Sequence, residues 1–174
     1  PLPGREKRCA LEVQTVETSD CGTYEQRLVS YTSELGSRVP AYLLIPKAAR
    51  PSRERFAAVL CLHPTDAQYG HRVTVEKLRD NYHPYARDLA ERGFVVLAPA
   101  YPLMANYQPD LKALGWQSGT MKAVWDNQRG LDLLRADPER GGLLAVDFHC
   151  DLGPRDRQVA GHIEQAVQRF QLGL

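Results

Sequence analysis

An excess of charge of either sign is missing from this chain. Its 22 Lys and Arg residues face 21 Asp and Glu, for a net charge of +1. That balance gives no reason to expect nucleic acid or an acidic membrane surface as a partner. Long apolar runs are also missing: none approaches the roughly 20 residues needed to cross a bilayer. No charged-then-apolar leader segment is visible, and the first residue is Pro1 rather than Met. A cytoplasmic location is therefore expected, with the native start of the chain lying upstream. Cysteine is scarce. Cys9, Cys21, Cys61 and Cys150 form no C-x-x-C pair, which speaks against a zinc ribbon or a thioredoxin-type motif. Free thiols are expected in a domain of this size, with a Cys9–Cys21 pair as the alternative. His63, Asp66, His71 and His83 match no ligand spacing, so no metal site is expected.

What is present fits one globular domain spanning 1–174. A length of 174 residues with 43% apolar and 25% charged residues lies at the ordinary globular composition. Such a chain buries roughly 70% of its unfolded surface and needs no metal or disulfide to fold.

Residues 1–24 are polar and mixed, and read as an N-terminal arm. Glu25–Ser33 alternates apolar and polar residues, as a half-buried strand does. Glu34-Leu35-Gly36-Ser37 is a turn signal, and Arg38–Pro46 resumes the strand pattern, so a hairpin is expected. Phe56–His63 is continuously apolar up to its last residue, the mark of a strand buried on both faces. Pro84–Arg92 has helical spacing, with Pro84 in the first turn and Gly93 just past the end. Phe94–Ala100 is a second buried strand. The three segments make a βαβ unit and predict a parallel sheet. Thr120–Arg135 carries Met121, Val124, Trp125, Leu131 and Leu134 as an apolar stripe, a second helix. Gly130 inside it predicts close packing on the sheet. Leu143–Phe148 is a third buried-strand candidate, and Pro154–Phe170 a third helix with Val159, Ile163, Ala166, Val167 and Phe170 on one side.

Four pieces in this order, "VSYTSELGSRVPAYLLIPK", "AAVLCLHPTD", "YARDLAERGFVVLAPAYP" and "GTMKAVWDNQRGLDLLRADPER", resemble the N-terminal half of an α/β-hydrolase. The branch they are most similar to holds the dienelactone-hydrolase and acetyl-xylan-esterase-like enzymes. The resemblance covers about 24–140. It implies a partial α/β-hydrolase fold, with a mostly parallel sheet of about five strands, helices on both faces and an antiparallel N-terminal pair. It also implies hydrolysis of a carboxylic ester, a small-molecule ester as partner, and no cofactor.

The family's nucleophile elbow, G-x-S-x-G or G-x-C-x-G, is missing. The serines are Ser19, Ser30, Ser33, Ser37, Ser52 and Ser118, and none follows the third strand candidate. An ungapped alignment from Asp137-Pro138-Glu139-Arg140 sets Asp147 at the nucleophile position. Three extra residues set Cys150 there. A third alignment makes "FHCDLGPRDR" the family's C-terminal histidine segment, with His149 as base. Only 24 residues follow Cys150, too few for the family's later strands. The tail 141–174 therefore reads as divergent or truncated.

Cys150 is the first candidate nucleophile, as a thiolate near a helix start at Pro154, although Asp151 beside it opposes thiolate formation. Asp147 is the second; Ala145 and His149 stand where glycines are expected. His149, at a strand end, is the better base candidate, and His162, on a helix edge, the other. The resemblance makes the loop His63-Pro64-Thr65-Asp66 the source of an oxyanion-hole donor. Pro64 has no N–H, so Thr65 or Asp66 donates. Tyr101, Tyr107 and Trp116 fall in the region that borders the family's substrate pocket. Each of these residues also has an ordinary structural reading: an inert thiol, a satisfied histidine, a strand-end loop, aromatics covering a sheet edge. The alternative to an ester hydrolase is a catalytically inactive hydrolase-like domain. Loss of later strands would leave an exposed sheet edge, so a homodimer or poor solubility is expected.

Overall fold

The computed structural model describes residues 2–47, 57–136 and 142–143. Six strands form one sheet: β1 (Gln14–Asp20), β2 (Tyr24–Glu34), β3 (Ser37–Pro46), β4 (Ala57–Leu60), β5 (Val95–Pro99) and β6 (Gly142–Leu143). Their order is β1-β2-β3-β5-β4-β6. Two helices, α1 (Tyr85–Glu91) and α2 (Gly119–Ala136), make the crossovers.

The βαβ reading holds where it was strongest. β4 runs parallel to β5, with Val59 opposite Val96, and also parallel to β6. The expectation of a mostly parallel sheet is corrected, however. β1–β2, β2–β3 and β3–β5 are antiparallel. The meander that begins the fold adds its last strand directly to β5, so parallel pairing is confined to the β5-β4-β6 end of the sheet. A second correction concerns 1–24, read as an arm. It contains β1, whose residues are almost all exposed. An edge strand held by main-chain pairing to β2 needs no buried face and leaves no alternation to read.

The two helices cover opposite faces, as expected. On one face Ala86, Leu89 and Ala90 of α1 pack with Leu44, Val59 and Val96. On the other Leu134 of α2 packs with Leu43, Leu60, Val95 and Leu97. Successive β5 residues thus serve different cores, which is why that strand reads as an unbroken apolar run. Helix α1 ends at Gly93, whose φ of 92° is open to glycine at little strain. The Phe94 N–H closes the end by donating to Leu89 C=O at 3.1 Å. Gly130 does what its position predicted. A Cβ there would lie 3.1 Å from Tyr31 Oη, 3.2 Å from Leu97 Cδ2 and 3.3 Å from Leu60 Cδ1.

Candidate active site

Topology locates the site before chemistry does. From β4 the chain crosses by α1 to β5 on one side, then returns by α2 to β6 on the other side. The direction of winding reverses between β4 and β6. In open α/β sheets, ligands bind in the crevice beyond the carboxyl ends of the strands at such a switch point. The loops after β4 and β5 lie side by side at that end of the sheet, joined by hydrogen bonds.

His63 lies at the carboxyl end of β4. Its Nε2 accepts the Tyr101 N–H at 3.0 Å, and its Nδ1 lies 2.8 Å from Pro64 C=O. An imidazole that accepts at Nε2 and donates from Nδ1 is neutral. Burial holds its pKa below the ordinary histidine value, although the Pro64 contact and nearby Asp66 act the other way. Both ring nitrogens are therefore used inside the chain, tying the end of β4 to the start of the loop after β5.

Asp66 is 4% exposed. Its carboxylate accepts the main-chain N–H groups of Gln68 at 2.9 Å and Tyr69 at 2.8 Å, and the Arg79 guanidinium at 2.5 Å. The Arg79 bond is the main reason its pKa lies below the usual carboxylate range, with both N–H bonds helping against burial. Asp66 thus curls the loop into a short turn. Thr65 is exposed, and the main-chain N–H groups of Thr65 and Asp66 have no partner among the described residues.

Tyr101 is half-buried, and its hydroxyl donates to Thr120 Oγ1 at 2.8 Å in the first turn of α2. Ala105 N–H donates to Ala67 C=O at 3.0 Å, so the two loops are joined twice. Leu103 and Ala105 have φ of 66° and 46°, left-handed values that cost an L residue about 1–2 kcal/mol each. Leu103 is also 51% exposed. Backbone strained in this way is held in place by its surroundings.

Cys150, His149, Asp147 and His162 lie outside the described residues. So do most of the third strand candidate and the whole third helix candidate.

Two features escaped the sequence reading. The first is the face of α2. Met121 and Val124, assigned to its apolar stripe, are 37% and 40% exposed, whereas Lys122, Asp126 and Arg129 are buried. Lys122 Nζ bonds Ser33 Oγ at 2.9 Å, Glu34 Oε1 at 3.0 Å and Asp126 Oδ1. Tyr107 donates its hydroxyl to Asp126 Oδ2 at 2.8 Å, and Trp116 Nε1 donates to Glu34 Oε1 at 2.7 Å. Burial raises the Asp126 pKa, with the Lys122 ammonium opposing it. The usable signal was the i,i+4 spacing of Lys122 and Asp126. The second is His71, in the 3-10 turn Gly70–Thr74. It is 2% exposed, neither ring nitrogen has a hydrogen-bond partner among the described residues, and its ring lies 5.0 Å from that of Tyr42. Burial pulls its pKa down to about 3, helped by His63 and Arg72.

Sheet order and the opposed crossovers match the amino-terminal part of an α/β-hydrolase fold. Solved structures agree over most of this chain. An acetyl xylan esterase from Paenibacillus sp. R4 superposes with a TM-score of 0.56 at 15% identity, over 79% of this chain and 46% of that one. A glucuronoyl esterase from Solibacter usitatus gives 0.54 at 13% identity, over 83% and 47%. Acetyl xylan esterase 1 from Thermoanaerobacterium sp. JW/SL YS485 gives 0.54 at 13% identity, over 79% and 45%. The chain spans less than half the length of each. Neither a protein-family model nor a curated protein matches the sequence. Among the described residues no helix is long and apolar enough to cross a membrane, and no group of three or more His, Cys, Asp or Glu could hold a metal ion.

Proposed function

We propose that this chain carries the oxyanion half of a carboxylic-ester hydrolase that works by acyl transfer to a protein nucleophile. The observation that carries the reading is the pair of N–H groups at Thr65 and Asp66 that have no partner among the described residues, read as an oxyanion cradle beside the switch point of an esterase-like sheet. Charge builds on the carbonyl oxygen as a tetrahedral intermediate forms. One well-aimed donor contributes about 2.7–4 kcal/mol to that step. Cys150 is assigned as nucleophile, with Asp147 second. His149 or His162 is the base that takes the proton and returns it to the leaving alcohol. His63 keeps both nitrogens for the scaffold. An ester is the substrate, and the chemistry asks for no cofactor. Two copies pairing through a sheet edge complete the reading.

The absent G-x-S-x-G elbow favours a second reading, an inactive hydrolase-like domain. Hydrolysis of p-nitrophenyl acetate separates the two. Turnover that falls at least a hundredfold in Cys150→Ala supports the enzyme. No turnover, or turnover indifferent to both Cys150→Ala and Asp147→Asn, supports the inactive domain.

A further inference from the structure

We propose that Lys122 is a positioning residue: the buried ion cluster it centres holds the loop after β5, and through it the Thr65–Asp66 amides, in the geometry that receives an ester carbonyl. This rests on the cradle reading above. Lys122 is fully buried, and its ammonium faces three acceptors, Ser33 and Glu34 at the end of β2 and Asp126 on α2. Apolar side chains of similar volume would often stabilise such a position as well or better. A buried charge with three partners is better explained by the geometry it enforces.

That geometry reaches the crevice by a continuous path. Asp126 accepts the Tyr107 hydroxyl, and Tyr107 C=O accepts the Leu103 N–H at 2.9 Å. Tyr107 N–H donates to Met104 C=O at 3.0 Å. Within this short turn sit the left-handed residues Leu103 and Ala105, conformations that relax unless something holds them. Ala105 N–H then donates to Ala67 C=O, one residue beyond the cradle. Trp116, bonded to Glu34, fastens the far end of the same loop to the same cluster. Tyr107, Glu34 and Tyr31 meet the Lys122–Asp126 pair from outside α2: the first two bind its side chains, and the Tyr31 hydroxyl donates to Asp126 C=O at 2.9 Å.

Tyr107→Phe in the full chain removes the hydroxyl and keeps the ring. Amide hydrogen exchange at Leu103 and Ala105 is expected to speed up about tenfold, while Val96 and Leu97 in β5 stay unchanged. With p-nitrophenyl acetate, kcat falls about tenfold and KM holds, the sign of a contact used only in the transition state. Unchanged exchange at Leu103 and Ala105 overturns the proposal. So does a rise shared by every amide, which reports general destabilisation. If the unmodified protein turns over no ester, the function reading fails, while the exchange result still decides whether the cluster holds the loop. Should Tyr107→Phe lose its circular dichroism, Trp116→Phe cuts the other tie and is read at the same two amides.

Discussion

Tyr101 N–H donates to His63 Nε2 across 3.0 Å, so a neutral imidazole joins the carboxyl ends of two neighbouring parallel strands. The bond exists only while Nε2 carries no proton. With Nδ1 against Pro64 C=O, the ring serves as a cross-brace. His63→Ala should lower stability by about 1–3 kcal/mol, through the cavity and the unpaired Tyr101 N–H. Urea denaturation measures this; an unchanged midpoint would remove the brace from the account.

His71 makes the fold acid-sensitive. Its folded pKa is about 3 against an ordinary value of 6.5, because burial disfavours the charged ring. A group whose folded pKa is lowered binds protons in the unfolded chain first. Stability is therefore complete above about pH 6.5 and declines as pH falls towards 3, by an amount on the order of 4–5 kcal/mol at the limit. His63, whose pKa is shifted the same way, adds to the decline. Urea midpoints between pH 7.5 and 4.5 should fall, and His71→Leu should flatten the slope. An equal slope in both proteins contradicts the assignment.

Asp66 works at the acid end. Arg79 and two main-chain N–H groups hold its pKa below the carboxylate range. Its contribution is present above the unfolded value near 3.8 and fades as pH drops through the lower folded value. Asp66→Ala removes the acceptor of all three donors and should cost about 1–3 kcal/mol at pH 7. The same variant should weaken ester turnover by disordering the cradle, which initial rates would show.

Gly130→Ala sets helix propensity against packing. Propensity alone favours alanine by about 1 kcal/mol. The new methyl would meet Tyr31, Leu60 and Leu97 at 3.1–3.3 Å, where α2 lies on the sheet. Overpacking a core costs about 1–3 kcal/mol, so a lower Tm is expected. A higher Tm would mean the three neighbours yield freely.

The legible parts of the fold were those in which burial shapes the pattern. The runs around β4 and β5 are apolar because both faces are covered, and α1 carried its own boundaries in Pro84 and Gly93. Strand β1 was illegible because main-chain pairing leaves no trace in side-chain pattern. The inner face of α2 was misread because Lys122 and Asp126 neutralise each other, so charges took positions where apolar residues are expected. The loop after β4 was singled out only through its resemblance, and its oxyanion role stands as a proposal. The Arg79 clamp on Asp66 and the burial of the His71 ring against Tyr42 needed distances that no periodicity supplies.

The central claim is an acyl-transfer nucleophile opposite the Thr65–Asp66 cradle. Trapping the acyl-enzyme tests it most directly. The protein is mixed with p-nitrophenyl acetate, quenched in acid within seconds, digested and mapped by mass spectrometry. The account predicts one acetyl group, on the peptide containing Cys150, and its loss in Cys150→Ala. Acetylation scattered over exposed lysines alone, with the Cys150 peptide unmodified, would contradict it.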